Sequence, residues 1–333
     1  MEPKIKALFK DDILEVSKTL YDMDLNSFKF LGGFESFVYE YEFKDKAFIL
    51  KISHSSHRTQ SQIESEFDFV NHLYQQGASV SKPILNRHHR FTHTYLLDEG
   101  YFTISSTEKA LGNRPTDLLT NRVLQHNYGK TIGLFHHLTM SYEPKISIEK
   151  RFTWVDDPLI VECRNYLDES DGFVYDEMIK VMDQIQKIPQ TMTNYGLIHT
   201  DIHRSNFLVQ EDQTLTVFDF DDAAYFYFMS DIAIAIFYTL FFMPNKDEVA
   251  EAFILQLMQG YQETHPMSKA DFLTIPLFLR FRTIVLYLAL KRSTQKTDPF
   301  TMKYNGLYLD SIQQNLPFLQ VDFEMLYQRI NRS

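Results

Sequence analysis

The chain is short of several things, and each shortage removes a class of protein. There is one cysteine, Cys163, so no internal disulfide can form, and a cytoplasmic setting fits. Basic residues are outnumbered. The formal net charge is -11, which argues against nucleic acid as a main partner, because phosphate backbones select basic faces. The N-terminus, MEPKIKALFKDDILEV, has a charge every few residues and lacks the apolar core of a signal peptide. The longest apolar run, Ile232 to Met243, contains Tyr238 and is too short to cross a bilayer, so no membrane association is expected. Repeats and low-complexity segments are also missing. What remains is a globular composition, 44% hydrophobic and 23% charged, with enough chain for two cores.

The most informative stretch runs from Ile198 to Asp222, IHTDIHRSNFLVQEDQTLTVFDFDD. It reads as an apolar lead-in, a polar loop, a short strand at Phe207–Val209, a turn, and a returning strand from Leu215 to Phe220. One polar set is His199, Asp201, His203 and Asn206. The other is Asp219, Asp221 and Asp222. Three carboxylates so close together repel in an apolar site, but they suit a divalent cation. Magnesium takes oxygen ligands, commonly one or two carboxylates plus substrate phosphates. The order Asp201, Asn206, Asp219 is that of a phosphoryl-transfer loop. One Asp receives or orients the acceptor hydroxyl, while Asn and a later Asp hold the metal.

Upstream, Phe28–Leu31, Phe34–Phe43 and Ala47–Ile52 read as three strands, with Gly32-Gly33 turning between the first two. Adjacent glycines let backbone N–H groups approach phosphates. Lys51 lies in the apolar strand FILKI, where a charge needs a partner. The next amphipathic segment, Gln60 to Gln76, offers Glu64 and Glu66; Glu66 is the expected partner. Residues 4–22, Arg122–Leu138, Glu177–Ile188, Glu248–Gln262 and Leu277–Lys291 read as further helices.

His199-x-Asp201-x-His203-x-x-Asn206, followed by Asp219, resembles the aminoglycoside phosphotransferase and choline kinase superfamily, including its homoserine-kinase-like members. The resemblance covers about Leu31 to Phe242. The glycine turn is similar to that family's short GG-x-(E/D)-(N/S) loop and departs from the G-x-G-x-x-G of protein kinases. The implied fold is α+β and bilobal. Residues 1–104 would form an N-terminal ATP-binding lobe of antiparallel sheet plus one helix. Residues 105–333 would form a mostly helical catalytic and acceptor-binding lobe, with the boundary in the polar stretch Ser105–Lys109. The implied activity moves the γ-phosphate of ATP to a hydroxyl of a small molecule with Mg2+. Asp201 is the catalytic residue. Gly33, Ser36, Lys51, Glu66 and Ile104 serve the nucleotide, and Asn206 and Asp219 serve the metal. Asp231 is expected to cap the following apolar helix and to brace the catalytic loop.

Other readings stand beside this one. A pseudokinase would bind nucleotide without turnover. A Ser/Thr protein kinase would share the motif. A metal-dependent hydrolase would use His199, Asp201 and His203. His199 and His136 also read as structural, Asp222 as a solvated turn, and Arg280 and Arg282 as salt-bridge partners or anion binders. Arg151 to Tyr175 is placed on the acceptor side by order along the chain.

Overall fold

The computed structural model describes residues 3–23, 27–33, 35–145, 149–292 and 299–332; Phe34, expected within the glycine-turn hairpin, lies outside them. The chain divides into two compact units. One comprises Met1–Asn113, Tyr142–Arg151 and Thr216–Asp221; the other comprises Arg114–Ser141, Phe152–Leu215 and Asp222–Ser333.

The first unit opens with helices α1 (Pro3–Leu8) and α2 (Asp11–Tyr21). Strands β1 (Lys29–Gly32), β2 (Ser36–Phe43) and β3 (Lys46–His54) follow, then helix α3 (Gln60–Gln75), then β4 (Thr92–Leu96) and β5 (Tyr101–Glu108). The five strands make one antiparallel sheet in the order β1-β2-β3-β5-β4. Alternation along each strand sends side chains to opposite faces. Leu50, Ile52, Phe102 and Ile104 join Ile5, Ile13 and Leu20 in one buried apolar cluster. Lys51 points to the other face, in register with Ser105. Helix α3 lies on that face, where Gln60 donates to Thr92 Oγ1 at 3.0 Å and Thr92 donates to Glu64 at 2.7 Å. Thr59 caps α3 by accepting from the Gln62 N–H. The polar stretch expected to break the chain at Ser105 is strand as far as Glu108, because each of its residues pairs with β3.

The second unit is mainly helical. Helix α4 (Arg122–Thr139) is followed by the short α5 (Pro158–Val161) and by α6 (Gly172–Gln186). Strand β6 (Tyr195–Ile198) pairs antiparallel with β9 (Ala224–Tyr227), and β7 (Phe207–Val209) leads into a polar turn; of the next strand, β8 (Leu215–Val217), only Leu215 is counted in this unit. Helices α7 (Met229–Leu240), α8 (Lys246–Gln262), α9 (Lys269–Phe272), α10 (Ile275–Arg292), α11 (Pro299–Gln313) and α12 (Phe323–Ile330) complete the chain.

Helices α4 and α8 pack backbone to backbone. A Cβ at Gly129 would sit 1.7 Å from the Leu257 carbonyl, and one at Gly260 would sit 1.8 Å from the His126 carbonyl. Helix α7 is buried almost throughout. The stretch Lys269–Arg292 is long and apolar enough to cross a membrane, with a mean hydropathy of 1.7. Arg280 and Arg282 interrupt its apolar run. Its Phe278, Leu279, Ile284 and Leu288 are buried in this unit, and Arg280 and Arg282 are both paired with carboxylates.

Candidate active site

Two groups of polar side chains stand out, one in each unit. In the first unit β3 presents Lys51. Its ammonium lies 3.0 Å from Asp221 Oδ1 and 3.4 Å from Asp219 Oδ1. Burial alone would lower the lysine pKa. The carboxylates of Asp221, Asp219 and Glu66 outweigh burial and hold it above its ordinary value.

Asp221 is gripped from several sides. Besides Lys51, its Oδ2 takes His57 Nε2 at 2.8 Å and Arg58 Nε at 3.4 Å. Its backbone carbonyl accepts from Arg151 Nη2 at 2.6 Å and from Arg58 Nε at 3.3 Å. Burial pushes the Asp221 carboxyl up, but Lys51, His57 and Arg58 reverse this and hold it well below the usual range. Asp219, two residues earlier, sits at φ 66, in the left-handed region that a non-glycine residue occupies only under constraint. Its carboxylate is about half exposed, at 49%, so it stays open to a further ligand.

Glu66 departs from expectation. It is buried in this unit, yet among the described residues no ion pair joins it to Lys51; Asp221 and Asp219 hold the ammonium instead. Burial raises the Glu66 pKa to about 7, with Asp221 and Asp219 adding to the effect and Lys51 and Arg151 opposing it. Glu64, the other candidate, hydrogen-bonds Gln60 and Thr92.

Gly33 adopts φ 140, and a Cβ there would fall 1.9 Å from the Ser36 carbonyl oxygen, so the turn requires glycine. The Ser36 hydroxyl is buried and lies 2.7 Å from that of Ser53. Ile104 is fully buried in the apolar cluster, on the sheet face opposite Lys51. The residues of β5 that share the Lys51 face are Tyr101, Thr103, Ser105 and Thr107. Strand period, invisible without the register, decides this.

In the second unit the loop after β6 carries His199, Asp201, His203 and Asn206. Asp231 braces it by accepting from the N–H of His199 at 3.2 Å and of Thr200 at 2.8 Å. Thr200 is also left-handed, at φ 61. The expected helix cap is not made: α7 begins at Met229 with Phe228 at the cap position, and the Asp231 carboxylate serves the loop. His136 Nε2 lies 3.3 Å from the same carboxylate, buried and stacked on Phe228. His199 Nδ1 accepts the N–H of Asp201 at 3.3 Å, which fits a loop-shaping role.

The side-chain partners of Asp201 include an arginine, an asparagine and a histidine. Arg282 Nη2 donates to Oδ1 at 2.7 Å. Asn206 Nδ2 donates to Oδ2 at 3.1 Å, and His203 Nε2 lies 3.4 Å from the same oxygen. The Asn206 amide engages Asp201 through its nitrogen, which also reaches the Asp201 carbonyl at 3.0 Å. Its oxygen is left available as a donor to a cation. An amide oxygen suits the oxygen preference of Mg2+, as, in the first unit, does the half-exposed carboxylate of Asp219. Among the described residues no group of three His, Cys, Asp or Glu side chains is arranged to hold a metal.

The sequence reading missed Arg58, His57, Tyr238 and the role of Arg282. The polar run His54 to Thr59 after the Lys51 strand was the available signal for the first two. Arg151, placed on the acceptor side, belongs to the first unit and holds Asp221. Arg280 pairs with Glu177 at 3.0 Å.

A sheet lysine held by a late acidic turn and an Asp–Asn loop braced by an aspartate accompany a protein-kinase-like fold. Comparison with known proteins agrees: the profile of the phosphotransferase enzyme family matches residues 28–267. The amicoumacin kinase of Bacillus subtilis (strain 168) is 30% identical over 289 residues, 85% of each chain. A solved amicoumacin kinase in complex with AMP-PNP, Ca2+ and Ami superposes with TM-score 0.92 at 26% identity, covering 98% of this chain and 100% of that one. A spectinomycin phosphotransferase in complex with ADP shares the fold at TM-score 0.57 and 18% identity, over 88% of this chain and 92% of the other. The chain belongs to the phosphotransferase enzyme family, and it is an ATP-dependent phosphotransferase of small molecules.

Proposed function

We propose that the enzyme transfers the γ-phosphate of ATP to a hydroxyl of an amicoumacin-type antibiotic. The observation that carries this reading is the likeness to an amicoumacin kinase complexed with AMP-PNP, Ca2+ and Ami along nearly the whole chain. Residues 1–104 are assigned to ATP, and residues 105–333 to catalysis and the acceptor. The cytoplasm is the proposed location, in keeping with the single cysteine.

In this reading Asp201 orients the acceptor hydroxyl and takes its proton as the new O–P bond forms and ADP leaves. Lys51 holds phosphate oxygens, and the backbone at Gly33 and Ser36 covers them. Asn206 and Asp219 would hold Mg2+, which neutralises charge on the phosphates when bound. Asp221 keeps Lys51 in place and Glu66 adds to the local negative potential. The chain thus supplies position and charge, the main protein contributions in phosphoryl transfer.

The test is ADP release from Mg-ATP with amicoumacin, aminoglycosides, choline and homoserine, followed by 31P NMR of the acceptor. Amicoumacin is expected to stimulate release and to gain a phosphate ester. No stimulation and no ester with amicoumacin, alongside turnover of another acceptor, would overturn the assignment of the acceptor. No ester on any of them would overturn the hydroxyl transfer.

A further inference from the structure

Asp201, Arg282, Tyr238 and His203 form a closed ring of side chains within the second unit. Arg282 Nη2 donates both to Asp201 Oδ1, at 2.7 Å, and to the Tyr238 hydroxyl. The guanidinium carbon lies 4.9 Å from the centre of the Tyr238 ring. That ring meets His203 edge-on, with centroids 4.7 Å apart, and His203 Nε2 returns to Asp201 Oδ2 at 3.4 Å. The four residues come from three elements: the loop after β6, helix α7 and helix α10. Two of those elements are apolar helices, where an unpaired guanidinium would be costly.

We propose that Arg282 is a positioning residue for the transfer step, fixing the rotamer of Asp201 through Oδ1. The proposal rests on Asp201 being the residue that meets the acceptor hydroxyl. An aspartate has two rotatable side-chain bonds, and contact through one oxygen alone would leave the carboxylate free to swing. Arg282 pins Oδ1, while Asn206 and His203 hold the Oδ2 edge. The carboxylate is thereby held from both sides before any substrate arrives. Tyr238 in turn holds Arg282, by its hydroxyl and by the face of its ring. Lysine at position 282 could supply a charge, but not the flat guanidinium whose carbon lies 4.9 Å from the centre of the Tyr238 ring. An ion pair used only for folding would have no reason to terminate on this particular carboxylate. Arg280, two residues earlier on the same helix, shows that alternative: it binds Glu177 and the carbonyls of Ser311 and Ile312, away from the loop.

The experiment compares wild type with Arg282→Met, Arg282→Lys, Tyr238→Phe and Asp201→Asn. It measures ADP release from Mg-ATP with amicoumacin and also without acceptor, where water takes the place of the hydroxyl. Melting temperature and the KM for ATP are recorded in parallel. Arg282→Met is expected to lower kcat about 100-fold, the scale of a misplaced reacting group, with the KM for ATP within about twofold. Arg282→Lys should recover part of that loss, and Tyr238→Phe should lose less than Arg282→Met. Arg282→Met with kcat within about threefold of wild type, while Asp201→Asn is inactive, would overturn the positioning role alone. A lowered melting temperature with unchanged kcat per folded molecule would overturn it equally, leaving Arg282 a structural ion pair. Retained activity in Asp201→Asn would instead remove the base on which the proposal rests.

Discussion

Two carboxylate–cation pairs organise the molecule, and they are built in opposite senses. In the first unit the cation, Lys51, is the group assigned to substrate, and Asp221 supports it at 3.0 Å. In the second unit the anion, Asp201, is the group assigned to substrate, and Arg282 supports it at 2.7 Å. Each supporter is itself supported: Asp221 by His57, Arg58 and Arg151, and Arg282 by Tyr238. The working charge of each pair keeps some exposure, Lys51 at 24% and Asp201 at 23%, whereas the supporters are more enclosed, at 13% and 17%. A charge kept for a ligand must stay reachable. A charge kept for geometry is better buried beside its partner.

The sharpest way to break this symmetry is at the supporter of Lys51. Asp221→Asn should reduce kcat/KM for ATP at least tenfold, since it removes a buried charge-assisted contact worth about 1.5–3 kcal/mol. Glu66→Gln should change the same quantity much less, because among the described residues the ion pairs of Lys51 are with Asp221 and Asp219. Steady-state kinetics with ATP varied would check both. A larger loss in Glu66→Gln than in Asp221→Asn would reverse the assignment of the supporter.

A smaller effect concerns pH. The Glu66 carboxyl has a pKa of about 7 in the fold against an ordinary 4.5. Between those values the unfolded chain gives up this proton and the folded chain keeps it. The contribution of this group to stability therefore falls as pH rises through that window and is level above about pH 7. Glutamine has no proton to lose. The stability of Glu66→Gln relative to wild type should rise from pH 5 to pH 7, by up to about 1.4 kcal/mol per pH unit, and then flatten. Denaturant titrations at pH 5, 6, 7 and 8 would read it, and a constant difference across the series would contradict it.

How much of this could be read from the sequence follows the distance between partners. The strands β1 to β3, helix α3 and the loop from His199 to Asn206 were legible because their patterns are local: two-residue alternation, helical spacing, and a motif within a few positions. The supporters were not. Asp221 lies 170 residues from Lys51, and Arg282 lies 81 residues from Asp201. No local pattern links them, and a glutamate on the next helix was the nearer guess for Lys51. Ile104 was misjudged for a related reason. Its strand was read correctly, but which face it shows depends on the register with β3. Asp231 had a local signal for a helix cap and a tertiary one for the loop, and the tertiary one won: two backbone N–H groups of the loop hold its carboxylate.

The division of labour between the two pairs can be tested by ATP binding in the absence of acceptor. Isothermal titration of Mg-ATP into wild type, Lys51→Ala and Asp201→Asn separates the two regions directly. The account predicts that Lys51→Ala weakens ATP binding at least tenfold, and that Asp201→Asn binds ATP within about threefold of wild type while its turnover falls by 10²–10⁴, the usual scale for a lost general base. Equal weakening of ATP binding in both variants, or ATP binding unaffected by Lys51→Ala, would contradict it.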